Sequence, residues 1–499
     1  MTLDTLQSLP HGFDAVGRHL MLEGRDLVTL AQEHGTPLFV FSEARIRRNA
    51  GEFLKAARRG HGRSTVCYAS KACSNLHVLR LIREEGLSVE VNSGGELGKA
   101  LAAGFTPQEI VFNGVAKSVP ELERAISLGI KAINVDSAFE LRRVAEIAAR
   151  LRRRATVVLR AVPGVAGGAT SGIQTGTADS KFGMTEGELA EAIEFAMARR
   201  ADLEIAGLHL HIGSQVVETE AYLAGVKFAA ARTRALAAQL GTAPALVNLG
   251  GGYPTNYVHR RRTDAGRNEI DHFAAPRDAA EMVGEVAAAA DRLLGGEIEI
   301  LFEPGRSMVA DTAVLLTQVE SIRNRPQAGA AGQPWLYLDA GYNLLLDSAA
   351  VRWYFHMLTA NRLDEETTRP FRVVGPLCDS ADCFFDVEGE HLLEALLRRL
   401  PELSAEQRGI LRAEVVRLPA TRPLAAGTVP GDLVAIFDVG AYALEEMFQY
   451  CGRLRAAAIL LGSADHGFGD RVTVIRRRDS EQDLMAHERP AEAHTAAAS

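Results

Sequence analysis

The sequence predicts an α/β protein: a (β/α)8 TIM-like barrel, then a mostly antiparallel C-terminal β domain that the N-terminal segment completes. Three observations carry this. Apolar, β-prone runs recur eight times between residues 65 and 302, with helix-like stretches between them. That alternation is the pattern of parallel βα units, and eight of each fit a closed barrel better than an open sheet. After Gly305 the rhythm changes to β-like runs separated by turns, the pattern of an antiparallel domain.

In chain order, residues 20–42 offer a short strand, a helix at 26–34 and an apolar run at 37–41. A helix at 43–59 leads into the first barrel strand at 65–69. The remaining barrel strands fall at 87–91, 109–112, 131–135, 155–160, 204–210, 245–249 and 297–302. Helices separate them at 76–85, 95–103, 119–127, 138–152, 186–199, 218–240 and 279–294. Short apolar runs of this kind suit strands buried on both faces. Beyond the barrel, β-like runs stand at 312–321, 335–338, 372–377, 383–387, 432–437 and 471–476, with one helix-like insertion at 391–400. Stretches 324–334 and 420–430, rich in Gly, Ala and Pro, read as loops. The expected domains are 1–41 joining the β domain, 42–310 forming the barrel and 311–479 forming the β domain. The polar, Ala-rich tail 480–499 is expected to be disordered.

Composition narrows the function classes. Of 499 residues, 47% are hydrophobic and 24% charged, the mix of a globular protein with a sizeable core. The net charge of −8, without a large Lys/Arg block, argues against nucleic acid as a partner. Five cysteines (67, 73, 378, 383 and 451) show no CxxC pair or metal spacing and are expected as reduced thiols. No signal peptide and no membrane span is legible, so a cytoplasmic location is expected.

In a barrel of this type, functional groups gather at the C-terminal ends of strands. The first strand ends in Lys71. Either Lys71 reaches past the strand into solvent, or it is a desolvated amine of lowered pKa able to form a Schiff base. The sixth strand reads Gly207-Leu208-His209-Leu210-His211-Ile212-Gly213-Ser214, with both histidines aimed to one side. One of them reads as a core histidine, or as a flat ring able to stack on an aromatic ligand. The seventh strand runs into Gly250-Gly251-Gly252, a flexible turn or a backbone cradle for phosphate. The eighth ends in Glu303-Pro304-Gly305-Arg306, a buried ion pair or a carboxylate for a ring nitrogen. Lysine, stacking histidine, phosphate glycines and carboxylate together describe a pyridoxal 5'-phosphate site. A metal site is poorly supported, since no ligand spacing is present.

Tyr68-Ala69-Ser70-Lys71, His211-Ile212-Gly213-Ser214, the glycine triplet, Glu303-Pro304-Gly305-Arg306, Cys378-Asp379 and Gly440-Ala441-Tyr442 form an ordered set. The set resembles the signature of the fold type III pyridoxal-phosphate-dependent decarboxylases, the ornithine/diaminopimelate/arginine decarboxylase family. The resemblance spans roughly residues 37–476. It implies that Lys71 is the Schiff-base lysine, that His211 stacks on the ring and that Glu303 pairs with the ring nitrogen. It implies phosphate contacts from Ser214, Gly251, Gly252, Arg306 and Tyr442. It also implies a homodimer in which Cys378, the proton donor, and Asp379 reach the neighbouring subunit's site.

For the substrate, Asp379 suits the distal ammonium of a diamino acid. Diaminopimelate decarboxylases usually carry Glu there, and an Arg-Pro pair whose place here falls in the stretch ending Leu346-Asp347. An acidic Asp347 instead of a basic clamp favours a substrate without a distal carboxylate. Phe112-Asn113-Gly114-Val115 with Lys117, Asp339-Ala340-Gly341-Tyr342 and Gly375-Pro376-Leu377-Cys378-Asp379 look closest to the D-ornithine/D-lysine branch. Decarboxylation of D-lysine or D-ornithine is therefore expected, with meso-diaminopimelate as the alternative and Arg306 or Arg352 as carboxylate partner. Outside the decarboxylases, an amino-acid racemase or a non-catalytic regulator shares parts of the pattern.

Overall fold

The structure, a computed structural model, describes residues 9–165, 181–259, 270–324, 332–462 and 471–488. Eight parallel strands close into a barrel: β5 (Ser64–Ala69), β6 (Ser88–Val91), β7 (Ile110–Phe112), β8 (Ala132–Val135), β9 (Ala155–Arg160), β10 (Leu203–His209), β11 (Leu246–Asn248) and β12 (Glu299–Phe302). Closure runs through the pairing of Leu301 with Thr65 and Phe302 with Val66. Each strand is buried on both faces. Outward side chains meet the surrounding helices, while Cys67, Val111, Ala132, Val158, Ala206, Leu246 and Leu301 pack into a cluster of their own. The helices begin where the sequence supplies caps: Ser42 accepts the Arg45 N–H at 3.1 Å, and Ser93 that of Glu96 at 3.2 Å.

The earlier strands are β1 (Phe13–Val16), β2 (His19–Leu22), β3 (Arg25–Asp26) and β4 (Leu38–Ser42). After the barrel come β13 (Ala313–Asn324), β14 (Pro334–Leu338), β15 (Met357–Thr359), β16 (Thr368–Val374), β17 (Arg422–Ala425), β18 (Leu433–Phe437), β19 (Ala457–Leu461) and β20 (Val472–Arg476). The N-terminal β4 lies inside the C-terminal sheet, antiparallel to β13 and parallel to β19. The apolar face of helix Leu27–His34 packs with β4, β13, β18 and β19 in a second core cluster. The sheet is mostly antiparallel; β4–β19 and β14–β16 are its parallel pairs among the described residues.

Three expectations for this domain need correction. Residues 383–387 do not form a strand; Val374 bridges Cys383 once, and Asp386 then caps helix Val387–Arg399 by accepting the Gly389 N–H at 2.8 Å. A second helix, Ala405–Val415, follows where a single insertion was expected. The stretch 420–430 contains β17, which tolerates Pro423 because it pairs on one side only, as an edge strand. In the tail, Glu481–Met485 is helical, and residues 489–499 lie outside the described residues, as do 325–331 of the expected loop.

Candidate active site

At the C-terminal ends of the barrel strands opens a cavity of about 550 Å3. Lys71, His211, Ser214, Gly252, Glu303, Arg306, Asp347 and Tyr442 line it together. Lys71 leaves β5 in a single 3-10 turn, Ser70–Ala72. Its ammonium lies 4.0 Å from Oε1 of Glu90, a fully buried carboxylate near the end of β6. Burial pushes the Lys71 ammonium down, but Glu90, Tyr442 and Glu303 outweigh it and hold it above its ordinary value. The expectation of a lowered pKa is therefore corrected, because desolvation meets opposing carboxylates. Burial pushes the Glu90 carboxyl up as well, with Lys71 opposing.

Glu303 is not paired with Arg306. It sits in a ring of donors at the top of the barrel: Asn113 at 2.9 Å and His209 at 3.2 Å on one oxygen, Asn248 at 2.6 Å and Asn134 at 3.2 Å on the other. Burial alone would raise this carboxyl; His209, the Asn248 amide and Lys71 hold it below the ordinary range instead. A buried anion held this way is suited to fix a proton on a ring nitrogen. Both histidines line the cavity, and His209 also holds the carboxylate. The Gly251 N–H donates to Nδ1 of His211 at 3.0 Å, fixing the ring. Burial, with the positive charges of Lys71 and Arg160, keeps the His211 imidazole well below its usual pKa and so neutral.

The glycine triplet is required by packing. A Cβ on Gly252, at φ +92°, would lie 1.9 Å from the Gly213 carbonyl oxygen. A Cβ on Gly251 would lie 1.9 Å from the Glu303 carbonyl oxygen. Gly252 and Ser214 border the cavity, whereas Gly251, its N–H committed to His211, does not. Arg306 is buried between the rings of Trp353 and Tyr442, its guanidinium carbon 4.2 and 4.5 Å from their centroids. It donates to the Tyr257 hydroxyl at 3.2 Å and lies 3.7 Å from Asp347. Tyr442 arrives from the β domain at φ +67°. Its segment is clipped to the barrel by Glu445, which accepts the Ser74 N–H and hydroxyl, each at 2.7 Å.

Cys378 and Asp379 are not in this chain's cavity. Cys378 is exposed, and Asp379 accepts the Tyr342 hydroxyl at 2.7 Å. Arg352 pairs with Asp386 at 2.5 Å and does not line the cavity either. Sequence reasoning missed Glu90, Asn134, Asn248 and Glu446. The signal for the first three was a polar side chain inside a strand buried on both faces, which must find a partner. Glu446 carried no such signal.

The site fits pyridoxal phosphate: a cavity of suitable size lined by a lysine and by a carboxylate held below its ordinary range, and a glycine cradle that any Cβ would fill. Comparison with known proteins agrees. Residues 43–310 match the pyridoxal binding domain of the pyridoxal-dependent decarboxylases. The chain is 30% identical to the diaminopimelate decarboxylase of Archaeoglobus fulgidus, over 94% of this chain and 97% of that enzyme. With the Methanothermobacter thermautotrophicus diaminopimelate decarboxylase it shares 32% identity, over 94% and 95% of the two chains. The M. jannaschii diaminopimelate decarboxylase in complex with L-lysine superposes with a TM-score of 0.78 at 27% identity, covering 96% of this chain and 98% of that one.

These relatives correct the expected D-ornithine/D-lysine branch. Several residues of the motifs behind that expectation hold the scaffold. Lys117 is a buried clamp on Glu140, at 3.0 Å, and on the Gly114 and Asn134 carbonyls. Asn113 serves Glu303. Gly341 and Gly375 pack against Asp382, which accepts the Tyr342 and Leu377 N–H groups at 2.8 and 2.7 Å.

Proposed function

The chain belongs to the pyridoxal-dependent decarboxylase family, and from that premise we propose that it decarboxylates meso-diaminopimelate to lysine. The family is an enzyme family whose members bind pyridoxal phosphate, and decarboxylation of a diamino acid follows from membership. The finer reading rests on one observation: similarity to diaminopimelate decarboxylases runs through both domains, over 94% of the chain. The mixed-charge wall of Arg306, Asp347 and Glu446 also suits a substrate whose far end carries both an ammonium and a carboxylate.

Pyridoxal phosphate supplies an electron sink for the pair left behind when a carboxylate departs as carbon dioxide. With pyridoxal phosphate bound, Lys71 would hold it, Glu303 would keep a ring nitrogen protonated and His211 would pack on the ring. Ser214, Gly252 and Tyr442 would hold the phosphate, and Gly251 orients His211. Arg306, its charge shared with Asp347, faces the substrate's distal carboxylate. Cys378 of a second copy would supply the proton that replaces the departed carboxylate, with Asp379 beside it, so the working unit would be a homodimer.

The test is carbon dioxide and lysine release from meso-diaminopimelate by the cofactor-loaded protein, beside D- and L-lysine, D- and L-ornithine and L-arginine. Turnover of meso-diaminopimelate is expected. A second reading, a diamino acid without a distal carboxylate, is favoured by the 3.7 Å approach of Asp347 to Arg306, which offsets the arginine's charge. Turnover of lysine or ornithine alone would select it and overturn the first. Lys71→Ala is expected to abolish the absorbance of the linked cofactor; its persistence would remove Lys71 from that role.

A further inference from the structure

The cavity is also lined by a carboxylate that neither the sequence motifs nor the family signature assign. Glu446 closes the short helix Ala443–Glu446, directly after the Tyr442 turn that Glu445 clips to Ser74. Glu446 and Asp347 both line the cavity, and no hydrogen bond or ion pair holds the Glu446 carboxylate among the described residues. Arg306 stands beside the two carboxylates, and Lys71, Arg160 and Lys181 line the same cavity. Arg306 is only 8% exposed, yet its buried Nε has no hydrogen-bond partner. That N–H calls for an acceptor on the ligand, whereas the two carboxylates beside it call for a cation.

We propose that Glu446, together with Asp347, receives the distal ammonium of the diamino acid. The charges support this. When ionised, Asp347 and Glu446 carry two negative charges against the one positive charge of Arg306 beside them, and an incoming ammonium balances these three groups. Burial and the neighbouring Asp347 raise the Glu446 carboxyl to about 7, with Arg306 opposing. That is the state of a carboxylate in need of a cation. The reading is independent of Asp379, which lies outside this chain's cavity. It rests on the proposed diamino-acid decarboxylation, but not on the presence of a distal carboxylate.

Three amines that share one reacting amine and one chain length separate the possibilities: L-lysine, 1,5-diaminopentane and 6-aminohexanoate. Their far ends carry, respectively, both groups, the ammonium alone and the carboxylate alone. Each is measured as a competitive inhibitor of the holoenzyme and by its effect on the cofactor's absorbance. For the wild type, L-lysine and 1,5-diaminopentane are expected to bind more tightly than 6-aminohexanoate. Glu446→Gln and Asp347→Asn should each weaken the two ammonium ligands on the order of 10- to 100-fold, and leave 6-aminohexanoate unchanged or tighter. Glu446→Asp should recover part of the loss. Unchanged 6-aminohexanoate binding and cofactor absorbance show that a variant is folded. Equal losses for all three ligands, or none, would overturn the proposal. If 1,5-diaminopentane binds more tightly than L-lysine, the meso-diaminopimelate reading fails and this one stands.

Discussion

Lys71 and Glu90 form the most consequential pair at the level of single residues. The neutral amine is the nucleophile, and Glu90 raises the pH at which that amine appears. Glu90→Gln is therefore expected to lower the Lys71 pKa and speed cofactor loading at neutral pH, read by stopped-flow absorbance across pH. A loading profile that does not move toward lower pH would rule out Glu90 as the tuning charge. Glu303 makes the opposite case. Its folded-state pKa is depressed, so its donor ring contributes stability above the unfolded carboxylate value of about 4.3, and the contribution is lost as pH falls below it. Glu303→Gln should make the urea midpoint less sensitive to pH below about 4.3. An equally steep acid loss would assign that loss to other carboxylates.

Among the elements, the strand-end loops decide what the cavity can hold. Gly252→Ala places a methyl group into the Gly213 carbonyl at positive φ, which costs about 1–3 kcal/mol in backbone strain alone. A lowered urea midpoint together with weakened pyridoxal phosphate binding is the expected result, and native binding would show that Gly252 is no part of the cradle. The same loops show what the sequence made legible. Barrel strands stood out because parallel strands buried on both faces are continuous apolar runs. That same continuity concealed Glu90, Asn134 and Asn248, whose partners lie on other strands and follow no local spacing. Lys71, His211 and Glu303 were legible because each ends a strand. Residues 383–387 were misread because an apolar run ahead of a helix looks like a strand until Asp386 is recognised as a cap. Glu446 was invisible, since only the Tyr442 turn brings it to the barrel mouth.

On the scale of the whole molecule, exposed Cys378 on the β-domain loop has work to do only if a second copy presents its cavity to it. Lys71→Ala and Cys378→Ala chains should each be nearly inactive, yet regain activity when unfolded and refolded together. In a mixed dimer one site keeps both groups. Mixtures no more active than their parts would confine each site to one chain. The seating of β4 between β13 and β19 carries another consequence. Leu38 is synthesised long before its partner Ala457. At cellular translation rates that interval is on the order of tens of seconds. Until β13 is made neither edge of Leu-Phe-Val-Phe has its partner strand, and one edge stays open until β19 follows. Production of this protein should accordingly depend on chaperones that shelter β4 until β19 arrives.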